Sequence, residues 1–131
     1  MIEHIMFNGQ PLCYIVRAQL PSEKTEFLTP PEANLQVGYI VHPAGYEIPR
    51  HVHQPIKRNI VGTCEVLIVR KGRCEVDIYN GERQHIATRE LCEGDIIIIV
   101  AGGHGFRMLE DTVLLEIKQG PYPGPEEKEQ F

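Results

Sequence analysis

Basic clusters and long apolar segments are both missing from the sequence, and each absence excludes a class of partner. Lys and Arg number 13 against 18 Asp and Glu, which gives a formal net charge of −5. Such a chain is repelled by a phosphate backbone, so no nucleic acid partner is expected. No apolar run approaches the roughly 20 residues of a membrane-spanning helix. A membrane partner is therefore not expected either.

Targeting and disulfide signals are also missing. The N-terminal segment MIEHIMFNGQPLC has neither the basic start nor the continuous apolar stretch of a signal peptide, so we expect a cytoplasmic location. The cysteines form no C-x-x-C pair, and a reducing compartment keeps thiols free. We interpret them as small buried side chains rather than as disulfides or catalytic groups. They are Cys13, Cys64, Cys74 and Cys92.

Helical periodicity is absent as well, because no stretch repeats apolar residues at helical spacing over three turns. From Leu35 onward, short segments of alternating apolar residues follow one another, separated by turn residues. Asn80-Gly81 is the preferred type I′ pair and predicts a hairpin. The pattern predicts an all-β fold, and 131 residues suffice for one hydrophobic core. The predicted strands are residues 12–18, 35–42, 47–53, 64–71, 73–79, 84–90, 95–100, 105–109 and 112–119.

Two histidines on one predicted strand are the first candidate for chemistry. His51 and His53 stand two residues apart in Arg50-His51-Val52-His53. Side chains two apart on a strand point to the same face, so both imidazoles are expected to lie close enough to chelate one ion. The remaining histidines outside this region, His4, His42 and His85, are interpreted as ordinary surface or core residues.

Glycines and acidic residues stand at regular distances around the histidine pair. Gly45 precedes His51 by six residues, and Glu65 precedes Gly72 by seven. We expect Glu65 to stand at the start of a strand and to face inward together with Leu67 and Val69. Further on, the apolar strand Ile96-Ile-Ile-Ile99 leads to His104 in the glycine-rich bend Gly102-Gly103-His104-Gly105. A large imidazole among small residues suggests a side chain that points inward. Phe106 and Met108 share the strand parity of His104 and are expected to face inward with it.

These spacings resemble the two motifs of the cupin superfamily, G-x5-H-x-H-x3,4-E-x6-G and G-x5-P-x-G-x2-H-x3-N. Gly45, His51, His53, Glu65 and Gly72 match the first motif, although eleven residues separate His53 from Glu65. Gly94, Gly102 and His104 match the second if one residue is deleted, with Val100 in place of the proline and Met108 in place of the asparagine. The resemblance covers residues 36–119.

The resemblance implies a small jelly-roll β-barrel over residues 35–119. Residues 1–34 would then form an N-terminal arm and edge strand, and residues 120–131 an irregular, proline-rich tail. It also implies a divalent metal ion, such as iron, manganese, nickel or zinc, bound inside the barrel. By the resemblance, the metal ligands are His51, His53, Glu65 and His104.

Function is left open between three alternatives. A metal with open coordination positions favours an enzyme, either a dioxygenase or an isomerase, that acts on a small polar metabolite such as a keto-sugar or keto-acid. The second alternative is a non-catalytic module that binds a small molecule, such as a sugar, with a structural metal, and the third is a metal-free sugar-nucleotide isomerase or epimerase.

We expect a homodimer formed through edge strands. Candidates for ligand contact are Tyr39, Gln54, Arg58 and Arg107.

Overall fold

The structure, a computed structural model, describes residues 2–131 and consists mainly of antiparallel strands. The predicted all-β class is confirmed, and the helical content is one short 3-10 helix, Pro125–Glu127, within the described residues. The strands are β1 (Glu3–Phe7), β2 (Gln10–Val16), β3 (Glu26–Phe27), β4 (Gly38–Tyr39), β5 (Glu65–Lys71), β6 (Arg73–Tyr79), β7 (His85–Cys92), β8 (Ile96–Ile99), β9 (Gly103–Met108) and β10 (Val113–Lys118).

The strands form three antiparallel sheets. A five-stranded sheet has the order β1-β2-β8-β5-β10, a three-stranded sheet has the order β7-β6-β9, and β3 pairs with β4. Among residues 2–131, none of the three sheets closes on itself into a barrel. The predicted strand at residues 12–18 corresponds to β2, which lies between β1 and β8. The edge of the sheet is therefore β1, a strand that the sequence pattern did not predict.

The chain divides into two compact units. The first comprises Met1–Leu20 and Thr63–Phe131 and contains the five-stranded and three-stranded sheets. The second comprises Pro21–Gly62 and contains β3 and β4. The second unit is thus inserted into the sequence of the first, between β2 and β5.

The core of the first unit lies between its two sheets. Ile97 and Ile99 on β8 stand opposite Ile15 and Cys13 of β2, so alternate residues of these strands present apolar side chains to one face. Side chains from β6 on the three-stranded sheet meet them from the other side. The buried cluster consists of Ile5, Leu12, Cys13, Ile15, Leu67, Val69, Cys74, Val76, Ile78, Leu91, Ile97 and Ile99.

The β6–β7 hairpin predicted at Asn80-Gly81 is confirmed, although its turn differs from the predicted type I′ pair. The positive φ belongs to Arg83, at 65°, rather than to Asn80. The buried side-chain oxygen of Asn80 accepts hydrogen bonds from the backbone N–H groups of Glu82 and Gln84, at 3.0 and 2.9 Å. The side-chain oxygen of Asn80 therefore takes the place of a backbone acceptor and stabilises a loop longer than a two-residue turn.

Gly72 makes the tight β5–β6 turn possible. Its φ is +88°, a left-handed conformation that favours glycine, and a Cβ there would clash with the carbonyl oxygen of Asp111. Glu65 is the first residue of β5, and Gly72 lies in the turn that follows its last residue, so the spacing between them corresponds to the length of this strand.

The predicted strands in the second unit are mostly wrong. Only Gly38–Tyr39 of the strand predicted at residues 35–42 is paired, and residues 47–53 form no strand. Pro49 lies within the second of these segments and Pro43 directly follows the first, and proline cannot donate a hydrogen bond to a strand partner. His51 and His53 therefore do not lie on a strand, and the expectation that they share one strand face does not apply.

Across residues 2–131, no helix combines the length and the apolar character needed to cross a bilayer.

Thiol reactivity offers a test of this fold. Cys13, Cys64 and Cys74 are buried, as expected from the sequence, whereas Cys92 is exposed. Burial raises the pKa of the Cys13 thiol to about 12, so this thiol stays neutral and unreactive at ordinary pH. We expect Ellman's reagent to modify Cys92 quickly in the folded protein and the other three only after unfolding. Cys92→Ser should remove the fast reaction, and fast modification of Cys13 in that variant would contradict the burial of β2.

Candidate functional site

Glu65 and His104 lie on strands of different sheets in the first unit. Glu65 begins β5, where it stands opposite Ile99 and Lys118 in the five-stranded sheet. His104 lies on β9, opposite Ile78 of β6. Glu65 shares the core-facing side of β5 with Leu67 and Val69, as the sequence pattern predicted. The two side chains therefore approach each other across the gap between the sheets.

The imidazole of His104 contacts the Glu65 carboxylate directly. The distance from Nε2 of His104 to Oε2 of Glu65 is 3.1 Å. The Glu65 side chain is 9% exposed and that of His104 is 28% exposed, so solvent reaches the histidine side of the pair more easily. The neutral imidazole can donate its Nε2–H to the carboxylate, which makes a charge-assisted hydrogen bond.

The other ring nitrogen of His104 is buried. Among the described residues, Nδ1 of His104 has no hydrogen-bond partner. The ring packs edge-on against Phe106, with 5.9 Å between ring centroids. Since His104 and Phe106 share one face of β9, the side-chain parity predicted for this strand is confirmed. The Phe106 ring therefore lies beside the imidazole while Nε2 makes its polar contact with Glu65.

The surroundings of Glu65 favour its charged form. The hydrogen bond from His104 holds the pKa of the Glu65 carboxyl below its usual value, although burial opposes this effect. The positive charge of Lys118, its neighbour across the β5–β10 pairing, also lowers the pKa. An anionic carboxylate is thus maintained beside His104 at neutral pH.

This lowered pKa predicts a pH dependence of stability. A carboxyl whose folded-state pKa lies below its unfolded-state pKa stabilises the fold above the unfolded-state value, here near 4.5, and loses that contribution as the pH falls through the folded-state value. We expect the difference in free energy of unfolding between the parent and Glu65→Gln to shrink as the pH is lowered below 4.5. Urea denaturation of metal-free protein at a series of pH values measures it. A constant difference would show that the Glu65 charge does not contribute.

His51 and His53 form a second pair, in the second unit. Their ring centroids are 5.3 Å apart, and both side chains are exposed. Nδ1 of His51 lies 2.8 Å from the carbonyl oxygen of Pro49. Because a carbonyl only accepts hydrogen bonds, this contact places the proton on Nδ1 and leaves a lone pair on Nε2. The two rings are thus close together although their residues do not belong to a strand.

In the structure, the four predicted ligands lie in two separate pairs, one in each unit. His51 accompanies His53, and Glu65 accompanies His104. Within residues 2–131, no group of three or more His, Cys, Asp or Glu side chains is arranged to hold a metal ion.

Arg107, one of the candidates for ligand contact, points away from the core. It lies on the outer side of the three-stranded sheet, where its guanidinium contacts the carboxylate of Glu75 at 3.2 Å. Tyr39, Gln54 and Arg58 belong to the second unit. Met108, predicted to line the interior with Phe106, is 50% exposed.

Sequence reasoning missed a polar cluster on the outer side of the three-stranded sheet. The Thr88 hydroxyl donates to the Asp77 carboxylate, and Nε2 of His85 lies 2.8 Å from the same hydroxyl. The β6–β7 register sets Asp77 opposite Thr88. The alternation of polar residues along these strands was the available signal, but their pairing depends on the hairpin register. His85 is thus held by neighbours on its own sheet.

Lys118 is the other residue that the sequence did not single out. It stands opposite Glu65, and its charge acts on that carboxylate.

Comparison of the chain with protein-family models, curated proteins and solved structures finds no match in any of the three. The interpretation of these residues therefore depends on their own chemistry and geometry.

Proposed function

We propose that the chain is a divalent-metal-binding protein of the cupin type whose ligands, as its two motifs suggest, are His51, His53, Glu65 and His104. The observation that carries the proposal is the contact between Glu65 and His104 across the two sheets. A carboxylate and an imidazole that meet in a largely buried position are two of the ligand types that borderline divalent metals bind.

The separation of the two atoms suits a pair of metal ligands. Two donors at the usual distances of about 2.0 to 2.2 Å from an ion, with an angle between 90° and 109°, lie roughly 3.0 to 3.5 Å apart. Oε2 of Glu65 and Nε2 of His104 are 3.1 Å apart. Binding would exchange the proton between these atoms for the ion, so it would release a proton and weaken at low pH.

The second pair has a feature expected of ligating histidines. A ligating imidazole usually donates its other ring N–H to a carbonyl or carboxylate, which fixes the tautomer. Nδ1 of His51 makes this contact with Pro49. The Nε2 lone pair of His51 is thus available for a ligand.

A jelly-roll arrangement is the finer fold that we propose for the first unit. Two sheets, of five and three antiparallel strands, face each other over one core. Jelly rolls are double-sheet structures of eight strands, and this strand count supports the assignment. We further propose, as the sequence suggests, that the protein is a homodimer.

The activity that we infer is that of a metal-dependent dioxygenase or isomerase acting on a small polar metabolite such as a keto-sugar or keto-acid. The metal, when bound, supplies Lewis-acid or oxygen chemistry. Glu65 balances the charge of the site, and Phe106 restricts water on one side of His104. The test is metal analysis of protein purified without chelators, followed by assays of oxygen consumption and keto-sugar isomerisation. Stoichiometric metal without turnover would instead favour the sugar-binding module with a structural metal.

A metal-free isomerase or epimerase is the second candidate, and the Glu65–His104 hydrogen bond specifically favours it. A carboxylate that orients an imidazole is a common arrangement for general acid–base catalysis. Under this alternative, isomerase activity persists in EDTA and is lost in His104→Ala. Absence of stoichiometric metal would make this candidate the better one.

The role of Glu65 can be tested by Glu65→Gln, which keeps the size and removes the charge. We expect metal affinity to fall by something on the order of 10 to 100-fold, the loss typical of perturbing partners of a metal site. Isothermal titration with Zn²⁺ measures the affinity, and circular dichroism checks that the fold is retained. Glu93→Gln, an exposed glutamate in the turn between β7 and β8, is the matched control. Unchanged affinity in Glu65→Gln would leave the three histidines as the only ligands.

A further inference from the structure

Strand β10 lies at one edge of the five-stranded sheet and carries apolar side chains on its surface. It is last in the strand order and pairs with β5 alone among residues 2–131. Leu114 packs against the core cluster. The alternate residues point to the opposite face and remain exposed: Val113 by 52%, Leu115 by 42% and Ile117 by 50%. An edge strand with an uncovered apolar stripe is a surface to which another strand can add.

The backbone of β10 also presents polar groups along this edge. The N–H of Gln119, directly after β10, donates to the carbonyl oxygen of Cys64, directly before β5, at 3.4 Å. Successive residues of an antiparallel strand point their N–H and C=O groups alternately to one neighbour and to the other. Those of Leu114, Glu116 and Lys118 therefore point away from β5, towards the edge. β10 thus offers both the hydrogen-bonding groups and the apolar side chains that an added strand needs.

The other edge of the same sheet, β1, has no comparable stripe. Every residue of β1 is described, and Met6, at 42%, is its only exposed large apolar side chain. The pairing of β1 with β2 is also shifted between Ile5 and Met6. Such irregularities make an edge less suitable for a further strand. β10 is therefore the better edge for association.

We propose that two copies of the chain pair antiparallel through β10, with the two Leu115 side chains opposite each other at the two-fold axis. The inference specifies the interface of the homodimer proposed above and rests on that part of the proposed function. In this register Val113 of one copy stands opposite Ile117 of the other, so the exposed apolar side chains meet one another. Leu114 stands opposite Glu116, and these residues exchange backbone hydrogen bonds through the groups that point to the edge.

Charge and symmetry favour this register and a second copy as the occupant. A register with Glu116 at the axis would set two carboxylates opposite each other, which is unfavourable. In the proposed register the two-fold axis brings Glu110 and Asp111, which precede β10 in one copy, towards Lys118 at the end of β10 in the other. This approach of opposite charges occurs twice. Since the pairing occupies both β10 edges, the assembly closes as a dimer.

Leu115→Lys tests the interface, because it places two ammonium groups opposite each other at the axis. Sedimentation of the full chain in EDTA measures the dissociation constant, and we expect the parent to form a dimer of 14.9 kDa chains. The dissociation constant should rise at least about a hundredfold in the variant, since two buried leucines are lost per dimer. Met6→Lys is the matched control: Met6 is equally exposed and lies on the other edge of the same sheet. This control should dimerise as the parent does, and circular dichroism checks the fold of both variants.

A cysteine at the axis tests the register. Opposite residues of a non-hydrogen-bonded antiparallel pair have Cα atoms about 4.5 Å apart, which is within the range of a disulfide. Cys92, the exposed native thiol, is first replaced by serine. In this background, mild oxidation should link two copies of Leu115→Cys into a covalent dimer. Glu116→Cys should link much less, because its side chain points to the other face and stands opposite Leu114.

The outcomes separate the interface from the rest of the proposed function. A monomeric parent would overturn the inference together with the proposed dimer. A dimeric parent whose dissociation constant is unchanged in Leu115→Lys would overturn the β10 interface alone, as would equal cross-linking of Leu115→Cys and Glu116→Cys. Because EDTA removes metal from every sample, a failure of the proposed metal site does not alter these results.

Discussion

Alanine at His51, His53 or His104 is expected to abolish stoichiometric binding of a single divalent ion, each change being sufficient alone. Each change removes one of the four proposed ligands, and the loss of an imidazole donor is expected to lower the affinity enough to prevent stoichiometric loading. His104 is the sharpest position, because its loss also leaves the Glu65 carboxylate without its partner at 3.1 Å. Elemental analysis and titration with Zn²⁺ measure the bound metal.

His85→Ala is the control for these variants. His85 is a histidine of the first unit whose Nε2 already contacts the Thr88 hydroxyl at 2.8 Å. We expect this variant to bind metal as the parent does. An equal loss of metal from His85→Ala would show that the site is misplaced. Loss from His104→Ala but not from His51→Ala would restrict the site to the first unit.

Ile97→Ala is expected to destabilise the first unit by about 2 to 5 kcal/mol, the usual cost of truncating a buried isoleucine. Ile97 is fully buried and lies on β8, the central strand, between Ile15 of β2 and Leu67 of β5. The loss includes both the apolar contact area and the cavity that remains between close-packed neighbours. The free energy of unfolding from urea denaturation measures it.

Ile117→Ala is the matched control for this truncation. Ile117 lies on β10 and is 50% exposed, so the same change removes much less buried surface. We expect a loss well below that of Ile97→Ala. Equal losses would mean that β8 does not occupy the centre of the core.

The sequence predicted the fold best where the pattern was local. The alternation Cys74, Val76 and Ile78 specifies the inner face of β6, since the side-chain period of a strand is two. Glu65 was predicted correctly to begin a strand with its side chain on the core side. Both features depend only on residues close together in the chain.

The predictions were weaker where pairing joins distant segments. The strand expected at residues 47–53 does not form, because Pro49 interrupts the segment and its alternation was not sufficient. Phe131 at the C-terminal end of the chain packs against Tyr79 and over Gly103. This contact was not predicted, because nothing in the short polar segment around Phe131 specifies its distant partners. The contact between Glu65 and His104 was expected only through the resemblance to a known pair of motifs.

The insertion of the second unit between β2 and β5 has a consequence for how the protein folds. β2 gains β8 as its second partner in the sheet only after about 80 further residues have been synthesised. Loop-closure entropy opposes such long-range pairing until the apolar contacts compensate, so a high contact order favours slow folding. On the ribosome, the hairpin of β1 and β2 would emerge first with an apolar face uncovered. The nascent chain is thus most prone to aggregation during the synthesis of residues 21–95.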